Sequence, residues 1–207
     1  MKLSFIFDIG NVLIDFDLPL LLQMVSKNTE VPIEDLSGTW TQEDTVAVET
    51  GKINSHDHYR KYADSIGLKW SYDVWKRVWM DIYSINETGM ALVKECKAKE
   101  FPVYILSNLA EYNKEAIEMK FSYFFNLFKG SFFSYELGLH KPAPEIFLSV
   151  CSTIKTPPEK CIFIDDLLEN VHGARSIGMR AIQFKSDSYH SMRGIIKETV
   201  NAFGPLP

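Results

Sequence analysis

Leu3-Ser4-Phe5-Ile6-Phe7-Asp8-Ile9-Gly10-Asn11 is an apolar run of aromatic and branched residues that stops abruptly at a carboxylate and a glycine. The pattern predicts a buried strand whose carboxyl end delivers Asp8 into a tight loop. Pro102–Leu106 repeats it, running into Ser107-Asn108, and Cys161–Ile164 runs into Asp165-Asp166. A last apolar run covers Ala181–Phe184. Helical patterns lie between these runs, at Met90–Lys99, Ala110–Lys120, Pro144–Val150 and Leu167–Ile177, the last followed by Gly178. Strands alternating with helices predict an α/β fold, with βαβ units and a mostly parallel sheet. Ligands of such sheets sit at the carboxyl ends of the strands, where these polar residues fall.

The stretch 17–85 interrupts the alternation. It reads as helical throughout, with a helix start at Pro32-Ile33-Glu34. Ser55 is the expected cap of a helix ending at Ile66-Gly67, and Ser71 that of a helix carrying Val74, Trp75, Val78 and Trp79. This stretch is expected to form a second subdomain lying over the strand ends. Residues 1–16 and 86–207 then form the core. Asp15 and Asp17 fall at the presumed hinge, and Glu49-Thr50-Gly51-Lys52 reads as a solvated turn.

Composition bounds the remainder. The chain has 207 residues, 46% hydrophobic and 24% charged, enough apolar material for a sizeable core. A net charge of −5 without a basic run argues against nucleic-acid binding. No apolar stretch approaches the roughly 20 residues of a membrane helix. Asp8 cuts the first apolar run too early for a secretory signal, so cytoplasmic residence is expected. Cys96, Cys151 and Cys161 share no metal or redox spacing and read as buried thiols. His56 and His58, two apart on one helix, do not share a face, and neither they nor His172 read as ligands.

Chemistry enters through the strand ends taken together. Asp8, a carboxylate at a strand end, is a candidate nucleophile toward phosphorus, although alone it would read as a turn-former or helix cap. Ser107 and Asn108 offer a hydroxyl and an amide to phosphoryl oxygens. Asp165 and Asp166 set two carboxylates side by side, which is costly unless a cation is present, and Mg²⁺ takes carboxylate oxygens. Lys141 brings a compact positive charge.

Four segments in order then carry a resemblance. Phe7-Asp8-Ile9-Gly10-Asn11-Val12-Leu13-Ile14-Asp15 resembles motif I of the haloacid dehalogenase superfamily, and Ile105-Leu106-Ser107-Asn108 motif II. Leu137-Gly138-Leu139-His140-Lys141-Pro142 with Pro144-Glu145-Ile146-Phe147 resembles motif III. Phe163-Ile164-Asp165-Asp166 with Asn170, Gly173, Ala174 and Gly178 resembles motif IV. The resemblance implies a Rossmann-like core with an inserted helical cap of the C1 type. It implies Asp8 as the nucleophile that forms an aspartyl-phosphate, and Mg²⁺ held by Asp8, the Gly10 carbonyl and Asp166, with Asp165 acting through a water. Ser107 would bond the transferring phosphoryl group and Lys141 would orient Asp8.

One position departs from that pattern. Most phosphatases of the superfamily carry a general acid/base Asp where this chain has Gly10, and losing such a group costs about 10²–10⁴-fold in rate. A good leaving group would tolerate the loss. The Asp-x-Gly-Asn-Val form is similar to that of phosphatases acting on hexose 1-phosphates. A small phosphate monoester, a sugar phosphate favoured, is therefore the expected substrate, taken up by a monomer or homodimer. A metal-free 2-haloacid dehalogenase, or a weakly active phosphate-binding regulatory protein, stands as the alternative.

Overall fold

The computed structural model of the chain describes residues 3–36, 38–186 and 189–201. In chain order, β1 (Ser4–Phe7) is followed by β2 (Ile14–Phe16) and five helices: α1 (Leu18–Ser26), α2 (Ile33–Leu36), α3 (Gln42–Glu49), α4 (Ser55–Ile66) and α5 (Tyr72–Ile82). Then come β3 (Tyr83–Ile85), α6 (Glu87–Ala98), β4 (Val103–Ser107), α7 (Glu111–Lys120), β5 (Gly130–Phe133), α8 (Ser134–Leu137) and α9 (Pro144–Thr153). The chain continues through β6 (Cys161–Asp165), α10 (Leu168–Ser176), β7 (Arg180–Gln183) and α11 (Tyr189–Asn201). No helix among the described residues is long and apolar enough to cross a membrane.

Five strands form one parallel sheet in the order β5-β4-β1-β6-β7, which is the α/β architecture expected. β1 is central, and all four of its residues are buried. Alternation along the strands splits the core in two. Phe5, Phe7, Ile105 and Ile164 pack on one face, in a cluster that continues into the helices before β3 and includes Leu92, Val93 and Ile117. Ile6, Leu106 and Phe163 point the other way, against Ile146, Phe147 and Val150 of α9 and Val171 and Ala174 of α10. Cys96, Cys151 and Cys161 are free and buried, as expected.

The short strands escaped the sequence. β2 and β3 pair antiparallel, Ile14 opposite Ile85 and Phe16 opposite Tyr83, so 17–85 is not helical throughout. The edge strand β5, for which the sequence carried no strand expectation, contains Gly130 and Ser131 and no β-branched residue, and its length of 4 residues is too short to show a period. Asn54 rather than Ser55 caps α4, accepting from the Asp57 N–H at 2.8 Å. Ser71 caps α5 as expected. Asp17 caps α1, and Asp15 accepts from Asn86 Nδ2 at 2.8 Å, so both acids tie the ribbon where the chain leaves and rejoins the sheet.

Two glycines set how closely helices approach the loops. A Cβ at Gly89, in the first turn of α6, would run into the Val12 carbonyl oxygen, and one at Gly173 in α10 into that of Pro142. Both contacts are backbone, so neither can be relieved by turning a side chain. Gly89→Ala is expected to destabilise the protein by about 1–3 kcal/mol, the usual cost of overpacking. In a chain of this size each kcal/mol lowers Tm by roughly 2–4 °C, which a thermal melt beside the unaltered protein would measure.

Candidate active site

Three adjacent strands end at one place. β1 leads into Asp8, whose N–H donates to the Ile164 carbonyl at 2.9 Å and so holds it level with the end of β6. β4 ends on Ser107 and β6 on Asp165. The order of connection reverses across β1, since the chain builds β4 and β5 on one side before crossing to β6 and β7 on the other. This is the crevice position at which parallel sheets bind ligands.

Lys141 lies in the loop between α8 and α9 and is 2% exposed. Its ammonium donates to Asp8 Oδ1 at 2.7 Å, to Asp165 Oδ2 at 2.6 Å and to the Leu106 carbonyl at 3.3 Å. Burial opposes the charge, but Asp8 and Asp165 more than offset it and hold the Lys141 pKa above its ordinary value. Asp165 is saturated with donors. Besides Lys141, it accepts from the Leu167 N–H at 2.9 Å and from Asn170 Nδ2 at 3.0 and 3.1 Å.

Asp8, Asp165 and Asp166 each present a carboxylate oxygen within 4.8 Å of the others. Three carboxylates facing one ammonium leave an excess of negative charge. Burial, and repulsion from Asp165 and Asp166 against the opposing pull of Lys141, push the Asp8 carboxyl up to about 7. Asp166 is also raised, first by burial and then by Asp165, against a bond from Asn11. An all-oxygen donor set with surplus negative charge is what a hard divalent cation takes, so the residues fit one, as the sequence led us to expect.

Other expected residues lie close by in differing roles. Ser107 is buried at the end of β4. Asn108, expected to offer its amide to phosphoryl oxygens, has that amide engaged elsewhere. Its Oδ1 accepts from the Lys141 N–H at 2.9 Å, and its Nδ2 donates to the Lys141 carbonyl at 3.0 Å and pairs with His140 Nδ1 at 3.1 Å. Asn108 is thus a clamp on the Lys141 loop. A Cβ at Gly10 would lie 3.8 Å from Asp8 Oδ2 and 3.5 Å from Phe16 Cε1. A side chain at Gly10 would therefore stand over the second oxygen of Asp8.

Two features were missed. Asn11, in the left-handed region at φ 53°, donates from Nδ2 to Asp166 Oδ2 at 3.2 Å and joins the first loop to the last. Asparagine tolerates that conformation, and its position after Gly10 was the available signal. Glu49, read as part of a solvated turn, meets His140 Nε2 at 2.8 Å. With Nδ1 accepting from Asn108, His140 presents Nε2–H to Glu49, a bond from α3 to the Lys141 loop that no local spacing encodes. Glu49, Gly10, Ser107 and Asn108 also border a cavity of about 450 Å³ beneath α1, α3 and α5.

Residues 4–178 match the family model of haloacid dehalogenase-like hydrolases. A sesquiterpene phosphatase of Aspergillus oryzae is 30% identical over 175 residues, 84% of this chain and 85% of that one. A D-ribitol-5-phosphate phosphatase of Bacteroides thetaiotaomicron is 24% identical, over 87% and 90%. A haloacid dehalogenase family enzyme of the same bacterium, solved with magnesium and inorganic phosphate, shares the fold with a TM-score of 0.79 at 22% identity, over 90% of this chain and 96% of that one.

The raised Asp8 pKa has a consequence for stability. An acid whose folded pKa of about 7 exceeds its unfolded 3.8 stabilises the fold fully below pH 3.8, and the contribution is lost as pH rises through 7. In chelator, Asp8→Asn is therefore expected to melt higher than the unaltered protein at pH 8, with the gap closing toward pH 4. At about 1.4 kcal/mol per pKa unit the gap is on the order of 1–4 kcal/mol. Melting curves at the two pH values measure it.

Proposed function

The chain belongs to the haloacid dehalogenase-like hydrolase family, and from that premise we propose that this hydrolase is a Mg²⁺-dependent phosphatase of a small phosphate monoester, acting through Asp8. The observation that carries the reading is the Lys141 ammonium shared between Asp8 and Asp165 beside Asp166. Lys141 holds Asp8 Oδ1 and leaves Oδ2 as the attacking oxygen. Oδ2 forms a bond to phosphorus, the ester P–O bond breaks, and the alcohol leaves with a proton taken from water. Water then hydrolyses the aspartyl-phosphate, returning phosphate and the free carboxylate.

The other residues position or balance charge. Ser107 would donate to a phosphoryl oxygen, and Asn108 fixes the Lys141 loop. Asp165, its oxygens engaged, holds Lys141 and Asn170. Asp8, the Gly10 carbonyl and Asp166 would hold Mg²⁺, while Asp165, its oxygens already engaged, acts on the site through Lys141 and not through a bound water. Bound there, the ion supplies Lewis-acid charge that lets an anionic ester approach an anionic nucleophile. The relatives support both halves of the reading, since two are named for phosphatase activity and a third was solved with magnesium and phosphate.

In this reading 17–85 is a helical cap of the C1 type, and residues 1–16 with 86–207 are the catalytic core. The sugar phosphate favoured by the sequence rests on the leaving oxygen alone, because Gly10 supplies no proton. The remainder of the ester is a separate matter.

Release of phosphate from p-nitrophenyl phosphate is expected in millimolar Mg²⁺ and is lost in chelator. Asp8→Asn is expected to lower kcat by at least about 10⁴, the scale on which a nucleophile is lost. Equal turnover with and without chelator would defeat the reading. Chloride release from 2-chloropropionate would favour the dehalogenase alternative.

A further inference from the structure

The cavity of about 450 Å³ that begins at Gly10 and Ser107 is built for something other than a sugar. Leu18 and Leu22, one turn apart on α1, line it with Phe16, Leu36, Trp40 and Trp79. Glu49 is the one charged side chain among the described residues on its wall, and it is held by His140. Two side-chain amides on the wall are already engaged, while the Trp79 indole N–H has no partner. Asn108 is spent on the Lys141 loop, and Asn113 donates to the Tyr83 hydroxyl at 2.8 Å. A hexose placed here would bury several hydroxyls against carbon with few free partners, and unpaired buried hydroxyls are strongly rejected.

Two further observations point the same way. Phe16 and Leu18, at 39% and 44% exposure, are large apolar residues left facing solvent and also line the cavity. Exposed apolar surface bordering a concave site is surface that a ligand covers. And Gly10, by lacking a side chain, leaves the space between Asp8 Oδ2 and the Phe16 ring open. Gly10 and Ile9, the two residues that follow Asp8, both line the apolar cavity.

From this we infer that the substrate is a monophosphate of a long apolar alcohol, with the phosphate at Asp8 and the hydrocarbon between α1 and Trp79. At roughly 30 Å³ for each water-sized group, the volume accepts about ten to fifteen carbons. The inference deepens the phosphatase reading and rests on it. Gly10 is then part of the specificity as well as a missing acid, because the carboxylate usual at that position would stand where the first carbons of the ester pass.

The test is a chain-length series of n-alkyl monophosphates from ethyl to decyl, below micelle concentration, against glucose 1-phosphate and p-nitrophenyl phosphate, all with Mg²⁺. We expect kcat/KM to climb about two- to fourfold per methylene, near the transfer value for a buried CH₂, and decyl phosphate to exceed glucose 1-phosphate by at least about a hundredfold. Leu22→Asn flattens the climb. A flat series, or glucose 1-phosphate matching decyl phosphate, overturns the apolar substrate while p-nitrophenyl phosphate turnover leaves the phosphatase standing. Failure of every ester, p-nitrophenyl phosphate included, removes the phosphatase reading instead. Binding separates the two cases. Decyl phosphate should shift tryptophan emission through Trp40 and Trp79 at concentrations at least about tenfold below those at which inorganic phosphate does. No such difference overturns the inference whatever the activity.

Discussion

A single buried ammonium organises this molecule. Lys141 could not remain charged in an apolar interior without partners, because desolvating an isolated ammonium costs more than a fold can supply. It stays charged because Asp8 and Asp165 both accept from it. Those two acids in turn could not sit so near each other, with Asp166 alongside, without it. Removing Lys141 would leave the buried carboxylates facing one another unopposed, so the strand ends depend on that one ammonium more than on either acid. The sheet brings these groups together, and their charges keep the strand ends from drifting apart.

The division of labour within the acidic trio follows from hydrogen bonding. Asp165 meets three donors in the protein and has no exposure. Asp166, half-buried, accepts from the Asn11 side chain, and Lys141 engages only the Oδ1 of Asp8. Identical side chains at the ends of neighbouring strands thus differ in what they can still bind. The saturated one fixes geometry, and the two less encumbered ones are available to a cation and to phosphorus.

Much of this was legible in the sequence because it follows from strand endings. Phe5-Ile6-Phe7 before Asp8, and Phe163-Ile164 before Asp165-Asp166, announce both the strand and the place where its polar cargo emerges. Gly173 could be noticed as a glycine but not explained until Pro142 was seen pressed against it. What stayed hidden depends on contacts between distant segments. Glu49 and His140 are separated by 91 residues. The apolar cavity draws Leu22 from one helix, Trp79 from another and Ile117 from beyond the ribbon, and no local period distinguishes a side chain facing a cavity from one facing a core. The short strands β2, β3 and β5 failed for a simpler reason: too few residues to establish an alternation.

The β2–β3 ribbon has an implication for how such a molecule can change. The chain departs for its five helices from Phe16 and returns at Tyr83, residues that face each other across one ladder. Neighbouring strands lie about 4.8 Å apart, so the chain enters and leaves those helices at one narrow point, although α5 also packs on α7. Residues could be added, deleted or exchanged within that loop of chain without lengthening the sheet or shifting the register of β1 against β4 and β6. Glu49 is the exception within that stretch, because its bond to His140 reaches the loop that carries Lys141; alterations elsewhere in it leave the three carboxylates where the sheet puts them. New specificities can be explored there at little risk to the chemistry.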